Sequence, residues 1–189
     1  MSENYQELWA RFRNGDQQAY EKLIHKLSTP LYGYGMRIIH DHEFVKDCIQ
    51  DVFFELWNRR KRISQTPSVK SYLFKAIRLR IFREYKKWDK TDSLDDNYHF
   101  LVEFNIETKI IEEQLSEETE SRIKKILNEL PKRQKEIIYL RFYEGLNSEQ
   151  IAEIMGVTKQ SVYNLLRDSI QRLRNEWFKV AFSILFGFI

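Results

Sequence analysis

The chain has 189 residues, 42% hydrophobic and 31% charged, a balance that suits one ordinary folded domain or two small ones and excludes a disordered chain. Six Gly and three Pro are too few for the many turns of a sandwich or barrel, so an all-β fold is not expected. The net charge of +3 conceals a pattern: residues 1–90 carry 18 Lys/Arg against 11 Asp/Glu, residues 91–121 one Lys against 10, and residues 122–189 12 against 7. Two basic blocks around an acidic segment predict two modules that meet a polyanion and a linker that does not.

The single cysteine, Cys48, excludes an internal disulfide, and with four scattered histidines no zinc set is expected. Residues 1–13 contain no apolar run of signal-peptide length, so a cytoplasmic location is expected. No phosphate-cradling Gly loop is present, so ATP use is not expected; no cofactor and no small-molecule substrate are expected either. Glu112-Glu113 and Glu117-Glu118 are paired carboxylates, but they lie in the acidic segment without a convergent base or metal set, which argues against an enzyme.

Taken in chain order, Leu8, Phe12, Ala19, Leu23 and Leu27 recur at helical spacing, broken at Asn14-Gly15-Asp16, where Gly15 ends one helix and Asp16 caps the next. Thr29-Pro30 predicts the start of another helix, with Pro in its first turn. Asp41 caps a long helix over 42–60, residues 64–68 form a loop, and Ser68 caps a helix over 69–88. Leu130-Pro131 separates two short helices in the second block.

The strongest local pattern runs from Glu144 to Arg174. Asn147 and Gln150 have capping-box spacing, and Ile151, Ala152 and Met155 form a buried face. Gly156 supplies a left-handed turn, Val157 fills the angle, and Thr158 caps a second helix with Val162, Leu165, Leu166 and Leu173 toward the core. A small residue, a Gly and a β-branched residue at 152, 156 and 162 are what two steeply crossed helices require, so a helix-turn-helix is predicted. The second helix exposes Lys159, Gln160, Ser161, Tyr163, Asn164 and Arg167, side chains that suit base edges and phosphates.

The phrases Leu130 to Glu136 and Tyr143 to Thr158, with Ser161-Val162, resemble the minus-35-reading domain of bacterial sigma factors. The resemblance implies that the exposed residues of the second helix enter the major groove, and it makes Arg133 and Arg141 candidates for phosphate contact. Asp47 to Trp57 resembles the sigma helix that grips the clamp helices of the polymerase largest subunit. Its Val45, Ile49, Val52, Phe53 and Leu56 face the core by spacing, while Asp47, Gln50, Asp51 and Glu55 form one polar stripe. With Phe54, the resemblance makes these the polymerase-binding residues.

Residues 69–88 are similar to the sigma helix that melts and reads the minus-10 element. Lys75, Arg78, Arg80, Arg83, Lys86 and Lys87 supply its charge, with Tyr72, Phe74, Phe82, Tyr85 and Trp88 interleaved. The loop at 61–68 stands where the family captures a flipped base. Leu79 and Arg83 depart from the family's usual Asn and Asp at these places.

The implied architecture is all-α with two small helical domains. Residues 1–90 bind core polymerase and the minus-10 region, 91–115 form an acidic linker, 116–178 form the helix-turn-helix domain, and 179–189 form a hydrophobic tail. About 25 extended residues reach roughly 80–90 Å, enough for two DNA elements ~35–70 Å apart. The implied function is that of a sigma factor of extracytoplasmic-function type, directing promoter-specific initiation. Its partners would be core RNA polymerase (clamp helices and flap), promoter DNA, and an anti-sigma factor or other recruiting protein. The competing reading is a helix-turn-helix regulator that does not engage core polymerase. The tail, Val180 to Ile189, spans ~15 Å as a helix, half the ~30 Å core of a bilayer; packing against the second module or the linker is expected, ahead of docking on a partner or a membrane surface.

Overall fold

The structure, a computed structural model, describes residues 4–88, 98, 100, 101 and 125–186, without the side chains of residues 88 and 176–186. Most of the acidic linker, the start of the second module at 116–124 and the side chains of the hydrophobic tail therefore lie outside the described residues. All regular elements among the described residues are helical. The first module comprises α1 (Tyr5–Arg13), α2 (Gln17–Ile38), α3 (His42–Arg59) and α4 (Val69–Trp88). The second comprises a helical turn at 125–128, α5 (Lys132–Ile138), a π-helical turn (Tyr139–Tyr143), α6 (Ser148–Met155) and α7 (Lys159–Phe186).

Local chemistry sets these boundaries. Asn4 caps α1 in a capping box with Glu7, Gly15 turns the chain at φ +93°, and Asp16 caps α2 by accepting from the Ala19 amide at 3.0 Å. Asp41 accepts from the Phe44 amide to start α3, and Ser68 from the Ser71 amide to start α4.

One boundary differs from the sequence expectation. No helix starts at Thr29-Pro30; α2 runs through Pro30 to Ile38. An internal proline leaves the Lys26 carbonyl without its amide donor and costs ~3 kcal/mol or more. Leu23, Leu27, Leu31 and Tyr34 flank it on one face, each fully buried, and burying a leucine contributes ~1.5–3 kcal/mol. Tertiary burial on both sides of Pro30 thus outweighs the local defect.

An aromatic cluster knots the start of the first module. Trp9 lies 5.3 Å from Phe12, Phe12 stacks on Tyr20, and Tyr20 lies 4.9 Å from Trp57 while its hydroxyl donates to the Phe53 carbonyl. On the opposite side α2 approaches α3 and α4 closely at Gly35, where a Cβ would stand 2.7 Å from Val45 Cγ1 and 3.3 Å from Ile81 Cδ1.

The modules are packed on each other. The Tyr34 and Tyr139 rings stack across the boundary at 6.2 Å, and the Arg37 guanidinium lies 4.4 Å above the Tyr139 ring. Tyr98 and Phe100 of the linker are buried at the same seam, and the Leu101 amide donates to the Arg37 carbonyl. One continuous core holds residues of both modules.

Candidate functional site

The helix-turn-helix forms as its sequence dictates. The Asn147 side chain accepts from the Glu149 and Gln150 amides at 3.0 Å each, and Gln150 Oε1 accepts from the Asn147 amide at 2.9 Å. Gly156 ends α6 at φ +66° and ψ 33°, and the Val157 amide donates to the Ala152 carbonyl. Thr158 Oγ1 accepts from the Ser161 amide, which starts α7. Val162 is fully buried and Leu165, Leu166 and Leu173 pack beside it.

This packing turns one face of α7 outward. Lys159, Gln160, Tyr163, Asn164 and Arg167 are exposed there, with Ser161 half-buried at the start. Their polar groups are held by weak local contacts: Gln160 donates to Asn164 at 3.2 Å, Lys159 pairs with Glu149 at 2.5 Å, and Arg167 with Asp168 at 3.2 Å. Glu149 raises the Lys159 ammonium above its usual value, first by hydrogen bond and then by charge. Exposed pairs of this kind are screened by water, so phosphates and base edges can replace them at small cost. Of the two arginines expected at phosphates, Arg133 is exposed and Arg141 donates to the Leu146 carbonyl at 3.1 Å.

On α3, Val45, Ile49, Val52, Phe53 and Leu56 are buried, as their spacing implies. Asp47, Gln50 and Asp51 are exposed, Glu55 is half-exposed, and Phe54 protrudes at 66% exposure. A large apolar side chain standing out of an acidic stripe suits a basic protein surface better than DNA.

The cations expected at the minus-10 element separate into groups. Lys86 and Lys87 are exposed at the end of α4, Lys87 being 2.8 Å from Glu84. Arg80 lies between the two stripes: it donates to Glu55, stands 3.3 Å from Asp51 and 3.3 Å from Glu84, and is 10% exposed. Arg83 approaches Glu84 at 3.4 Å and Glu55 at 3.9 Å. Two carboxylates expected to meet polymerase thus hold two arginines expected to meet DNA. Beside them α3, α4 and the 61–68 loop line an open cleft of about 390 Å³, with Val52, Leu56, Arg59, Ile63, Tyr72 and Arg83 among its lining residues.

Lys75 and Arg78 face the second module instead. Lys75 lies 3.5 Å from Glu153. Arg78 Nε donates to Glu136 Oε1 at 3.0 Å, Tyr34 donates to the same oxygen at 2.5 Å, and Tyr98 donates to Oε2. Glu136 and Tyr34 are fully buried and Arg78 is 6% exposed. Burial, the largest single influence, pulls the Arg78 guanidinium down, but the Glu136 charge and hydrogen bond together with Tyr34 and Tyr98 more than offset it and keep it cationic. Burial and Glu136 both push the Tyr34 and Tyr98 hydroxyls up, so both stay protonated donors. Nothing in the local sequence around Glu136 marks this cluster; its partners are 38, 58 and 102 residues away. The only sequence signal is a carboxylate on the apolar face that carries Ile137.

Known proteins agree with this arrangement. The Sigma-70 region 2 family matches residues 23–91, and the Sigma-70 region 4 family matches residues 120–173. Among curated relatives, the ECF RNA polymerase sigma factor SigK of Mycolicibacterium vanbaalenii is 23% identical over 162 residues, 84% of this chain and 82% of the relative. RNA polymerase sigma factor SigZ of Bacillus subtilis is 22% identical over 156 residues, 82% of this chain and 83% of the relative. Two solved structures share the fold. CnrH in complex with the cytosolic domain of CnrY aligns with a TM-score of 0.59 at 17% identity, covering 90% of this chain and 94% of that one. The sigma factor RpoE in complex with the anti-sigma factor NepR from Bartonella quintana aligns at 0.58 and 20%, covering 85% and 97%. With both regions matched, in order and on the two helical modules described above, the chain belongs to the sigma-70 family of RNA polymerase sigma factors, in its extracytoplasmic-function form.

Proposed function

We propose a division of labour within this sigma factor. The α3 stripe of Asp47, Gln50, Asp51, Phe54 and Glu55 grips core RNA polymerase. The α4 cations hold the phosphates of the minus-10 region as it opens, and the cleft beside the 61–68 loop takes an unstacked base against Tyr72. Lys159, Gln160, Ser161, Tyr163, Asn164 and Arg167 read the minus-35 element. Bond formation belongs to the polymerase, so this chain is an initiation subunit and not an enzyme, and it works in the cytoplasm. An anti-sigma factor is a further partner, as the RpoE relative has one. The observation that carries the reading is the separation of two exposed faces: acidic with a protruding phenylalanine on α3, basic and amide-rich on α7.

Chemistry explains the allocation. An amide pair such as Gln160 and Asn164 can contact adenine, and Arg167 guanine or phosphate, each good pairing discriminating by ~1–3 kcal/mol. An acidic stripe repels DNA but pairs with a basic clamp surface. The test is a pair of single variants assayed for core-polymerase binding and for promoter binding by the holoenzyme. Arg167→Ala weakens promoter binding by about five- to a hundredfold and spares core binding. Asp51→Ala does the reverse. Loss of both activities in equal measure in either variant contradicts the division.

A further inference from the structure

The acidic stripe of α3 and the cations of α4 meet at Arg80. Its guanidinium donates from Nη2 to Glu55 Oε1, and from Nη1 to Asp51 Oδ2 and Glu84 Oε1, both at 3.3 Å. The Arg80 side chain is 10% exposed, against 57% for Asp51 and 43% for Glu55. The guanidinium thus lies beneath the stripe, and the two α3 carboxylates stand above it in water. Burial, the largest single influence, works against the Arg80 charge, but the Glu55 hydrogen bond and the charges of Glu55, Asp51 and Glu84 outweigh it.

Arg83 shows the contrast. It approaches the same Glu55 oxygen only to 3.9 Å and Glu84 to 3.4 Å, and its side chain is 55% exposed. Arg83 can turn to a DNA phosphate by leaving two loose contacts at the surface. For Arg80 a phosphate must displace three carboxylates from a group that is nearly covered.

We propose that Arg80 is a positioning residue for core-polymerase binding and not a DNA contact: it holds Asp51 and Glu55 in the arrangement that a basic polymerase surface meets. This rests on the reading of the α3 stripe as the polymerase-gripping face. Asp51 and Glu55 stand at i and i+4 on one helix, where like charges repel. A single planar guanidinium between them fixes both, because its donors form a rigid fork. It takes one oxygen of each carboxylate, and the second oxygen of each can then accept from the partner. Side chains ordered in advance lose less rotamer freedom on binding, an advantage of about tenfold in affinity for the two together.

Arg80 also has an opposing effect. Its charge neutralises part of the stripe and so weakens the pull of a basic surface. The sign of its effect on core binding therefore separates the roles. A positioning Arg80 strengthens core binding, whereas an Arg80 that acts only through its charge weakens it.

The experiment uses the full chain. Arg80→Gln removes the charge and keeps a polar end. It strands no buried carboxylate, since Asp51 and Glu55 are in water and Glu84 keeps Lys87 at 2.8 Å. Affinity for core RNA polymerase is read by anisotropy of the labelled chain. Holoenzyme assembled with saturating chain is then titrated with a mixed-sequence fork-junction DNA. Arg80→Gln is expected to lower core affinity about tenfold, well beyond any loss on the fork, and Arg80→Lys to recover part of it. In a chain that already carries Asp51→Ala and Glu55→Ala, Arg80→Gln should lower core affinity by less than about twofold more. Unchanged or higher core affinity in Arg80→Gln, a larger loss on the fork than on core, or no recovery in Arg80→Lys overturns the proposal. So does a full loss of about tenfold in the chain without Asp51 and Glu55, which would show that Arg80 acts through the stability of the module alone. Asp51→Ala is measured alongside. Wild-type core binding in that variant overturns the reading of α3 together with the proposal, while weak binding there and wild-type binding in Arg80→Gln overturns the proposal only.

Discussion

Gly156 offers a clean test of why the second module folds as it does. It ends α6 at φ +66°, and no atom lies within 4 Å of where its Cβ would be. Gly156→Ala therefore meets no steric clash, and its cost is purely that of the left-handed backbone, ~1–2 kcal/mol for an L-residue. The substitution also stiffens the unfolded chain, which returns ~0.4–1 kcal/mol. The net loss is about 1 kcal/mol, and Gly156→Asn should lose less, since asparagine tolerates this conformation. Hydrogen exchange of the α6 amides reads the effect in the module concerned. Exchange through local opening should quicken about fivefold in Gly156→Ala and less in Gly156→Asn. Equal quickening in both variants, or none in Gly156→Ala, refutes the backbone argument and would point to packing that the open space around Gly156 does not show.

Gly35 is the converse case: its backbone is helical, but the space is filled. Gly35→Ala gains ~0.8–1 kcal/mol of helix propensity and loses ~1–3 kcal/mol to overpacking against the stiff Val45 side chain. The thermal midpoint should fall, and Val45→Ala in the same chain should recover part of the loss; a rise in midpoint for Gly35→Ala alone contradicts the close approach. Cys48 is buried, and burial first, then the Glu84 charge, push its thiol up to about 12. At pH 8 it is therefore neutral, and alkylation by iodoacetamide, which follows the thiolate fraction, should be about a thousandfold slower in the native chain than in urea. Equal rates would place the thiol at the surface.

Much of this was legible in the sequence because it is local. Asn147, Gln150, Gly156 and Thr158 each act within four residues of their own position, and every one of their expected roles appears in the structure. The buried face of α3 followed from spacing alone. Pro30 misled because the sequence rule describes an isolated helix, whereas Leu27, Leu31 and Tyr34 are buried on either side. The charge pattern announced two basic modules but not their contact. Counting charge treats Glu136, Glu144 and Glu153 as a small reduction in a basic block. In the folded chain they converge on one face of α4. The same limit applies to Arg80: its position among the α4 cations suggested DNA, and only the fold shows that it holds Asp51 and Glu55.

The central claim is that this chain directs initiation through core RNA polymerase. Its most direct test is co-purification with core polymerase, followed by transcription from a genomic fragment library with initiation sites sequenced. The account predicts stable core binding and start sites behind a shared two-part motif, lost when Arg167 is replaced by Ala. Absence of core binding, with DNA binding retained, would contradict it and leave a helix-turn-helix regulator whose α3 stripe serves another partner.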